Sequence, residues 1–233
     1  MWVKVPSLAA STKIVARYGC ANPVLPKVES VWDADYVGVW HLGESALPLA
    51  DSTGVSRDAT SADGTGIGYG SAGVVGGAVN FGAAGSSRCV NMDDHNALDG
   101  FAKVTIEAWT KQSAHASGAG IVSKCNYSGS SGSLSYYMFD DGTATTLSYS
   151  PDGSTVVSAG VGLQPSMGQW NHQVFTLDAT VSADNSKGYL NGLPKGTDSV
   201  SCPGGLFAGE GELHVGNLHS GNTANFPVLV KLS

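Results

Sequence analysis

The chain has 233 residues, of which 42% are hydrophobic and 13% charged, enough apolar material for a core and too little charge for a disordered chain. Its formal net charge of -7 and its lack of any Lys/Arg cluster disfavour nucleic acid and anionic lipid as partners. The 32 glycines and many serines weaken helix interiors, so the composition predicts strands and loops.

Two features of the sequence bear on location. No apolar run approaches the roughly 20 residues that cross a bilayer, so membrane insertion is not expected. The N-terminus "MWVKVPSLAASTKIVARYGC" lacks the continuous apolar core of a secretion signal. Either export is encoded upstream of this chain or the protein is not exported, and the lysine-poor, Ser/Thr/Gly/Asn-rich composition favours an extracellular or cell-surface protein.

The first 75 residues carry the weaker pattern. The runs "MWVKVPSL" and "TKIVARYG" within residues 1–18 alternate and predict a hairpin, and a proline-containing connection then leads to a domain boundary near Ser30. "VWDADYVGVWHLGE" (residues 31–44) is predicted to be a strand buried on both faces. Residues 45–73 follow as a long, glycine-rich and weakly patterned stretch.

From residue 76 onward, short strand patterns follow one another at regular intervals. One helical turn is predicted within "DDHNALDGF" (residues 93–101). About a dozen strands with Gly/Asn/Asp/Ser turns and almost no helix predict an all-β, antiparallel two-sheet sandwich. The predicted strands are "GGAVNFG" (76–82), "RCVNMD" (88–93), "VTIEAWTKQ" (104–112), "GIVSKCN" (120–126), "SLSYYMFDDG" (133–142), "TTLSYSPDG" (145–153), "TVVSAGV" (155–161), "WNHQVFTLD" (170–178), "KGYLNGLPKG" (187–196) and "ELHVGNL" (212–218).

The segment "WNHQVFTLD" has mixed residues on both faces, which is typical of a central strand covered on both sides. We interpret His172 within it as a structural residue rather than a catalytic base. Asn191-Gly192 predicts a tight hairpin turn, because both positions tolerate positive φ. Trp40, Trp109 and Trp170 are interpreted as core or sheet-packing residues.

The series "AVNFGAAGSSRCVNMD", "VTIEAWTK", "GQWNHQVFTLD", "GYLNG" and "ELHVGNL" resembles the laminin-G-like jelly-roll domains of the concanavalin A-like lectin/glucanase superfamily. The resemblance covers about residues 31–218 and implies one jelly roll over residues 31–220. Residues 1–30 and "NFPVLVKLS" (225–233) resemble parts of a small β domain that often precedes such jelly rolls in bacterial surface proteins.

Two interpretations of the chain ends are open. In the first, the chain is a piece of a larger array of repeats. In the second, the C-terminal strand within residues 221–233 pairs with the N-terminal hairpin, within one chain or between neighbours, through Phe226, Val228 and Val230. Pairing between neighbours would allow self-association.

The sequence argues against an enzyme. The glycoside hydrolases that this superfamily includes resemble a Glu-x-Asp-x-x-Glu pattern, which this chain lacks, and Glu210 and Glu212 are predicted to lie in an exposed turn. No Gly-x-Ser-x-Gly elbow follows an apolar strand, and the six histidines have no metal-ligand spacing.

Carbohydrate binding by lectin-like sandwiches uses exposed aromatic rings with polar neighbours. The candidates are clustered on one predicted hairpin, where only one of the adjacent Tyr136 and Tyr137 can point into the core. The alternative is that these tyrosines cover the sheet. The candidate contact residues are Tyr136, Tyr137, Asp140, Asp141 and Tyr149.

Calcium is a candidate ligand and no cofactor is required. Asp51 and Asp58 lie in one turn-rich segment that could supply hard oxygen ligands, although neither follows EF-hand spacing, and the alternative is that they cap turns.

The four cysteines form no Cys-x-x-Cys pair, so a zinc site is not expected. Cys20, Cys89, Cys125 and Cys202 are disulfide candidates with three pairings open, and the alternative is buried free thiols.

The sequence therefore predicts a non-catalytic extracellular recognition or adhesion module that binds a glycan or a surface protein. The alternative is a structural subunit that self-associates through its terminal strands, and a glycoside hydrolase is a distant third.

Overall fold

The computed structural model of the chain describes residues 31–82, 87–125, 133–218 and 228–232, with isolated positions among the first 15 residues. Most of the predicted N-terminal hairpin, together with Cys20 and Phe226, lies outside the described residues. The predicted domain boundary near Ser30 stays a prediction.

The described residues form strands and one turn of 3₁₀ helix, Asn96–Leu98. Among them, no helix is long and apolar enough to span a membrane. The strands are β1 (Ala59–Asp63), β2 (Gly68–Ala72), β3 (Gly77–Asn80), β4 (Cys89–Met92), β5 (Lys103–Gln112), β6 (Ala119–Cys125), β7 (Leu134–Asp140), β8 (Thr145–Tyr149), β9 (Val157–Ser158), β10 (Asn171–Asp178), β11 (Ser186–Leu190), β12 (Leu193–Asp198), β13 (Leu213–Val215) and β14 (Val228–Leu232).

These strands make two sheets in which every described pair is antiparallel. The first sheet has the order β1-β4-β13-β6-β7-β8-β9, and the second has the order β12-β11-β10-β5-β14-β3-β2. Strands distant in sequence are neighbours, as where β13 lies between β4 and β6. The predicted all-β two-sheet sandwich is therefore confirmed.

Alternation along the central strands explains how the second sheet faces the core. In β5, Ile106, Ala108 and Thr110 are buried while the residues between them are half-buried or exposed. In β10, Phe175 and Leu177 are buried and the alternate residues are half-buried. The prediction that β10 is central is confirmed, since it lies between β5 and β11, but its second face is only half covered.

The β11–β12 hairpin closes as its sequence predicts. Asn191 and Gly192 both have positive φ, at 53° and 77°, as a tight primed turn requires. One strand of this hairpin also carries a glycine for a steric reason. A Cβ at Gly188 would lie 2.5 Å from Val161 Cγ1, so the close packing of β11 requires the absence of a side chain there.

One prediction for the first 75 residues is wrong, and a weakly patterned stretch beside it contains two strands. Residues 31–44 make no continuous strand, because only Trp40 forms a bridge, with Asp51, and Leu42 has a φ of 53° that interrupts an extended conformation. The segment nevertheless buries Trp40 and Leu42 in the core. Residues 45–73, which are weakly patterned in sequence, contain β1 and β2, two edge strands whose weak alternation reflects partial exposure.

The C-terminal strand has different partners from the predicted ones. The strand β14 lies between β5 and β3, with Val228 opposite Gln112 and Val230 opposite both Thr110 and Val79. The predicted pairing of this segment with the N-terminal hairpin is thus replaced by pairing inside the jelly roll. The physical reason is that β5 has a second edge beyond β10, which a nearby extended segment can satisfy.

Phe175 gives a test of this core. Because its ring is fully buried on β10, Phe175→Ala should lower the free energy of unfolding by about 3–5 kcal/mol, measured by urea denaturation. Val156→Ala, at a side chain 48% exposed, is the control and should change it by less than about 0.5 kcal/mol. Equal effects of the two substitutions would contradict the assignment of Phe175 to the core.

Candidate functional site

The tyrosines predicted to contact carbohydrate are mostly buried. Tyr136 is 5% exposed and its hydroxyl donates to the carbonyl of Leu98 at 2.8 Å, and Tyr149 is fully buried with its hydroxyl 3.2 Å from the carbonyl oxygen of Ser201. Burial raises the pKa of both phenols. Tyr137 points to the other face of the sheet and is half-buried.

The two predicted aspartates have different environments. Asp140 is fully buried and accepts hydrogen bonds from Gln112 Nε2 at 2.9 Å and the backbone nitrogen of Gly142 at 2.8 Å. Asp141 is exposed, and although burial opposes its ionisation, hydrogen bonds from Thr143 and Ala144 outweigh that effect and lower its pKa. Of the five predicted contact residues, only Tyr137 and Asp141 therefore present side-chain surface to solvent.

The predicted calcium ligands are brought together, but their oxygens face hydrogen-bond donors. Asp51 accepts from the backbone nitrogens of Val39 at 3.1 Å and Thr53 at 3.0 Å and from Thr53 Oγ1 at 2.7 Å. Asp58 accepts from the backbone nitrogen of Asp51 at 2.8 Å. A cation there would have to displace these donors, so the pair fits a role in holding the loop better than a metal site. Calcium binding stays a prediction.

No cluster of three or more His, Cys, Asp or Glu that could hold a metal occurs within the described ranges.

The predicted disulfides are not formed among the three cysteines that the structure describes. Cys89, Cys125 and Cys202 are buried free thiols. Cys89 lies on β4 and Cys125 on β6, with β13 between them, so about 9–10 Å separates their strands. A disulfide requires Cα atoms within about 7 Å. The alternative of buried thiols is therefore the correct one for these residues.

One of these thiols belongs to a constellation that the sequence did not indicate. Cys89 Sγ lies 3.9 Å from His214 Nδ1, which lies 3.0 Å from Asn91 Oδ1. Burial first, and then the nearby carboxylate of Asp63, raise the pKa of Cys89 to about 12. A buried thiol that resists ionisation is a poor nucleophile, so the resemblance to a cysteine-hydrolase triad does not extend to its chemistry.

A cleft of about 1240 Å³ opens where β5 begins and β10 ends. The strand β14 pairs with β5 only from Ala108 to Gln112, and among the described residues no strand pairs with residues 103–106 on that side. The cleft consequently contacts both faces of β5. Its apolar lining includes Trp40, Leu98, Phe101, Ile106, Tyr136 and Leu213.

The rim of the cleft is charged. Residues 33–38 form part of the lining, with Asp33, Asp35 and the 45% exposed ring of Tyr36. Lys103 Nζ lies 2.9 Å from Asp178 Oδ2. Hydrogen bonds from Thr180 first, and then Lys103, lower the pKa of Asp178 to about 2, so this carboxylate is ionised at neutral pH.

The outward side of the second sheet continues from this rim, and we call its residues on β5, β10 and β11 the outer face. The register places Trp109 opposite His172, and their rings stack at 5.0 Å with an interplanar angle of 24°. His172 Nε2 also lies 3.3 Å from Glu107 Oε2. The outer face consists of Lys103, Thr105, Glu107, Trp109, His172, Val174, Thr176, Asp178, Lys187 and Tyr189.

This arrangement suits a ligand with both apolar and hydroxyl-bearing surfaces. Aromatic rings offer apolar faces for stacking, while the neighbouring carboxylate, imidazole, hydroxyl and amine groups can exchange hydrogen bonds. Trp109, interpreted from the sequence as a core or sheet-packing residue, packs on His172 on the half-buried outer face, and Trp40 is buried in the core. The alternating sequence of β5 predicts which residues share the outer face. The stacking of Trp109 on His172 depends on the register between β5 and β10.

A family model matches residues 84–231, that of a laminin-G family described as the concanavalin A-like lectin/glucanases superfamily. No curated protein has a sequence significantly similar to this chain.

Several solved structures share the fold at low sequence identity. Domain 4 of AbnA, an extracellular GH43 arabinanase from Geobacillus stearothermophilus solved in complex with arabinotriose, has a TM-score of 0.58 and 18% identity, over 83% of this chain and 89% of that one. The binding domain of Paraclostridial Mosquitocidal Protein 1 has a TM-score of 0.61 and 12% identity, over 84% of this chain.

The binding domain of botulinum neurotoxin serotype G has a TM-score of 0.58 and 12% identity, over 84% of this chain. This chain spans about half the length of the two toxin domains, 47% and 46% respectively. At these identities the likeness concerns the fold.

The three described thiols give a test of their burial. In a Cys20→Ser variant kept free of reductant, we expect none of the thiols to react with a thiol reagent at pH 8, because burial raises the pKa of Cys89 to about 12 and that of Cys125 to about 11. All three should react in guanidinium chloride, measured by absorbance. Reaction of only one thiol in denaturant would reveal a disulfide and contradict the structure.

Proposed function

Since this chain belongs to the concanavalin A-like lectin/glucanase superfamily, we propose that it is a non-catalytic extracellular recognition module that binds carbohydrate on its outer face. The observation that carries this proposal is the stack of Trp109 on His172, with Glu107 within 3.3 Å of the imidazole. The adjoining cleft extends the surface available to a longer ligand.

The likeness to carbohydrate-associated domains supports a sugar as the ligand class. The arabinanase domain of similar fold was solved with arabinotriose, and botulinum neurotoxin type C, whose similar structure has a TM-score of 0.56, depends for cell entry on interaction with two ganglioside molecules. A sugar ring has an apolar C–H face and a hydroxyl rim, which the aromatic and polar groups of the outer face complement. The extracellular location of the arabinanase supports the same location for this chain.

The spacing of the carboxylates supports a non-catalytic role. Glycosidases hold two carboxyl groups about 5–9.5 Å apart across the scissile bond. On the outer face, Asp178 lies opposite Lys103, four residues along β5 from Glu107, so about 13 Å of strand separates the two positions. Asp178 is also ionised at neutral pH, with a pKa of about 2, which does not suit a general acid.

Binding to a glycan array, followed by calorimetry with the best ligand, tests the carbohydrate proposal. Trp109→Ala should weaken binding by about tenfold or more, a loss of about 1.4 kcal/mol, because it removes the stacking surface. Glu107→Gln should also weaken binding, since it replaces the charged acceptor beside His172. Tyr36→Ala reports whether the ligand extends into the cleft.

Glu210→Gln, at an exposed glutamate away from the outer face, is the matched control for Glu107→Gln and should leave affinity unchanged. Wild-type protein without saturable binding to any glycan would contradict the proposal, as would unchanged affinity in Trp109→Ala. Saturable binding to a surface protein alone would identify the other ligand class.

A second candidate function is assembly by strand addition. It is favoured by the cleft, whose apolar lining lies beside residues 103–106 of β5. A segment of alternating sequence, such as residues 1–8 of a second copy, would bind there as an added strand and fill the cleft with alternate side chains.

Size-exclusion chromatography with light scattering at increasing concentration tests assembly. We expect the full chain to form higher-mass species and a chain of residues 9–233 to be monomeric, because only the full chain carries the donor. A full chain that is strictly monomeric at every concentration would rule out this candidate.

A further inference from the structure

A buried lysine lies away from the outer face, at the boundary of β6 and the loop after β4. Only 1% of the Lys124 side chain is exposed. Its Nζ donates to Asp94 Oδ1 and to the carbonyl oxygen of Gly211. Asp99 Oδ2 lies 3.4 Å from the same nitrogen. The amine is therefore held against two carboxyl groups.

The register of the first sheet brings Lys124 close to Asp94 and Asp99. Met92 on β4 and Lys124 on β6 both lie opposite Leu213, which belongs to the strand between them. Asp94 lies two residues after Met92. Asp99 comes directly after the 3₁₀ turn Asn96–Leu98. The lysine side chain reaches across β13 to these residues, which are 30 and 25 positions away in sequence.

The two carboxyl groups are not equivalent. The Asp94 side chain is 32% exposed, whereas that of Asp99 is 2% exposed. Within the described part of the chain, Asp99 Oδ2 accepts no hydrogen bond. Burial raises the pKa of Asp99, an effect that Lys124 and the backbone of Gly209 oppose without cancelling it. The buried carboxyl group of Asp99 is thus suited to donate a proton.

We propose that Lys124 and Asp94 condense to form an intramolecular amide cross-link, with Asp99 as the acid that assists the reaction. A nucleophile, an electrophile and a buried acid meet at one point, and no other reactant is required.

The reaction balances as a condensation. Lys124 transfers a proton to the Asp94 carboxylate, which yields a neutral amine and a carboxylic acid. The Nζ lone pair then attacks Cγ of Asp94 while Asp99 donates a hydrogen bond to the carbonyl oxygen, so that a C–N bond forms. An Nζ proton passes through Asp99 to the departing hydroxyl, the C–O bond breaks, and one water molecule leaves.

Burial favours the product of this reaction. The Lys124 ammonium is almost completely removed from water. A buried ammonium has a large desolvation cost, whereas a neutral amide has a much smaller one. Contact in the folded state also makes the step effectively unimolecular. The cross-link would tie β6 to the end of β4, two strands away in the same sheet.

Intact mass spectrometry of the full chain, denatured and reduced, tests the cross-link. The expected mass is one water molecule, about 18 Da, below that of the sequence. Lys124→Arg and Asp94→Ala should each restore the full mass, because each removes a reacting group. Asp99→Asn keeps both reacting groups and should leave the full mass or convert slowly to the lower one.

Lys103→Arg is the matched control, since Lys103 also pairs with an aspartate but at the surface, with 64% of its side chain exposed. It should retain the mass loss. Circular dichroism tests whether each variant is folded. If a variant does not fold, the mass of the wild-type chain alone decides whether the cross-link forms.

Peptide mapping distinguishes the cross-link from ring closure at an Asp-Gly pair such as Asp99-Gly100, which also releases one water. Trypsin should not cleave after Lys124, and fragmentation should show a branched peptide that joins the segments containing Asp94 and Lys124. A wild-type chain of full mass that trypsin cleaves after Lys124 would overturn the proposal and leave an ion pair in its place.

Discussion

The antiparallel register between β5 and β10 is the constraint on which the rest of the molecule depends. It runs without interruption from Thr110 opposite Asn171 to Lys103 opposite Asp178. Because side chains alternate along both strands, this one pairing sends Ile106 and Phe175 into the core. The same pairing places the Trp109–His172 stack on the outer face, so core and candidate site result from one set of backbone hydrogen bonds.

The same two strands also carry a buried polar region at their other end. Gln173 Nε2 donates to Thr110 Oγ1 at 2.6 Å, and Gln112 Nε2 donates to Asp140 Oδ2 at 2.9 Å. The first bond joins two strands of the second sheet, and the second links that sheet to β7 of the first sheet. All of these groups would be costly to bury unpaired. The interior is therefore apolar towards the cleft and polar towards the opposite end, which favours a single relative position of the sheets.

The cleft and the Lys124 cluster both depend on strands that come from distant parts of the chain. The strand β14 pairs with β5 at Ala108–Gln112, and the cleft lies beside the first residues of β5. The strand β13 lies between β4 and β6, and this position lets Lys124 meet Asp94. The sequence near the cleft or near Lys124 does not indicate which distant segment will lie beside it. That depends on the order of the strands in the sheets.

From the sequence alone, strong alternation and turn chemistry determined most strands from β3 to β13, the single helical turn, the Asn191-Gly192 hairpin and the family. These features are local, because the period of two and the φ preferences of Asn and Gly act within a few residues. Tertiary structure decided what depends on pairing. It made Tyr136 and Tyr149 core residues, kept Cys89, Cys125 and Cys202 apart as thiols, gave β14 its place beside β5, and brought Trp109 onto His172. Such contacts follow from register and strand order, which cannot be read from the residues that a strand contains, because the same alternation is compatible with many partners.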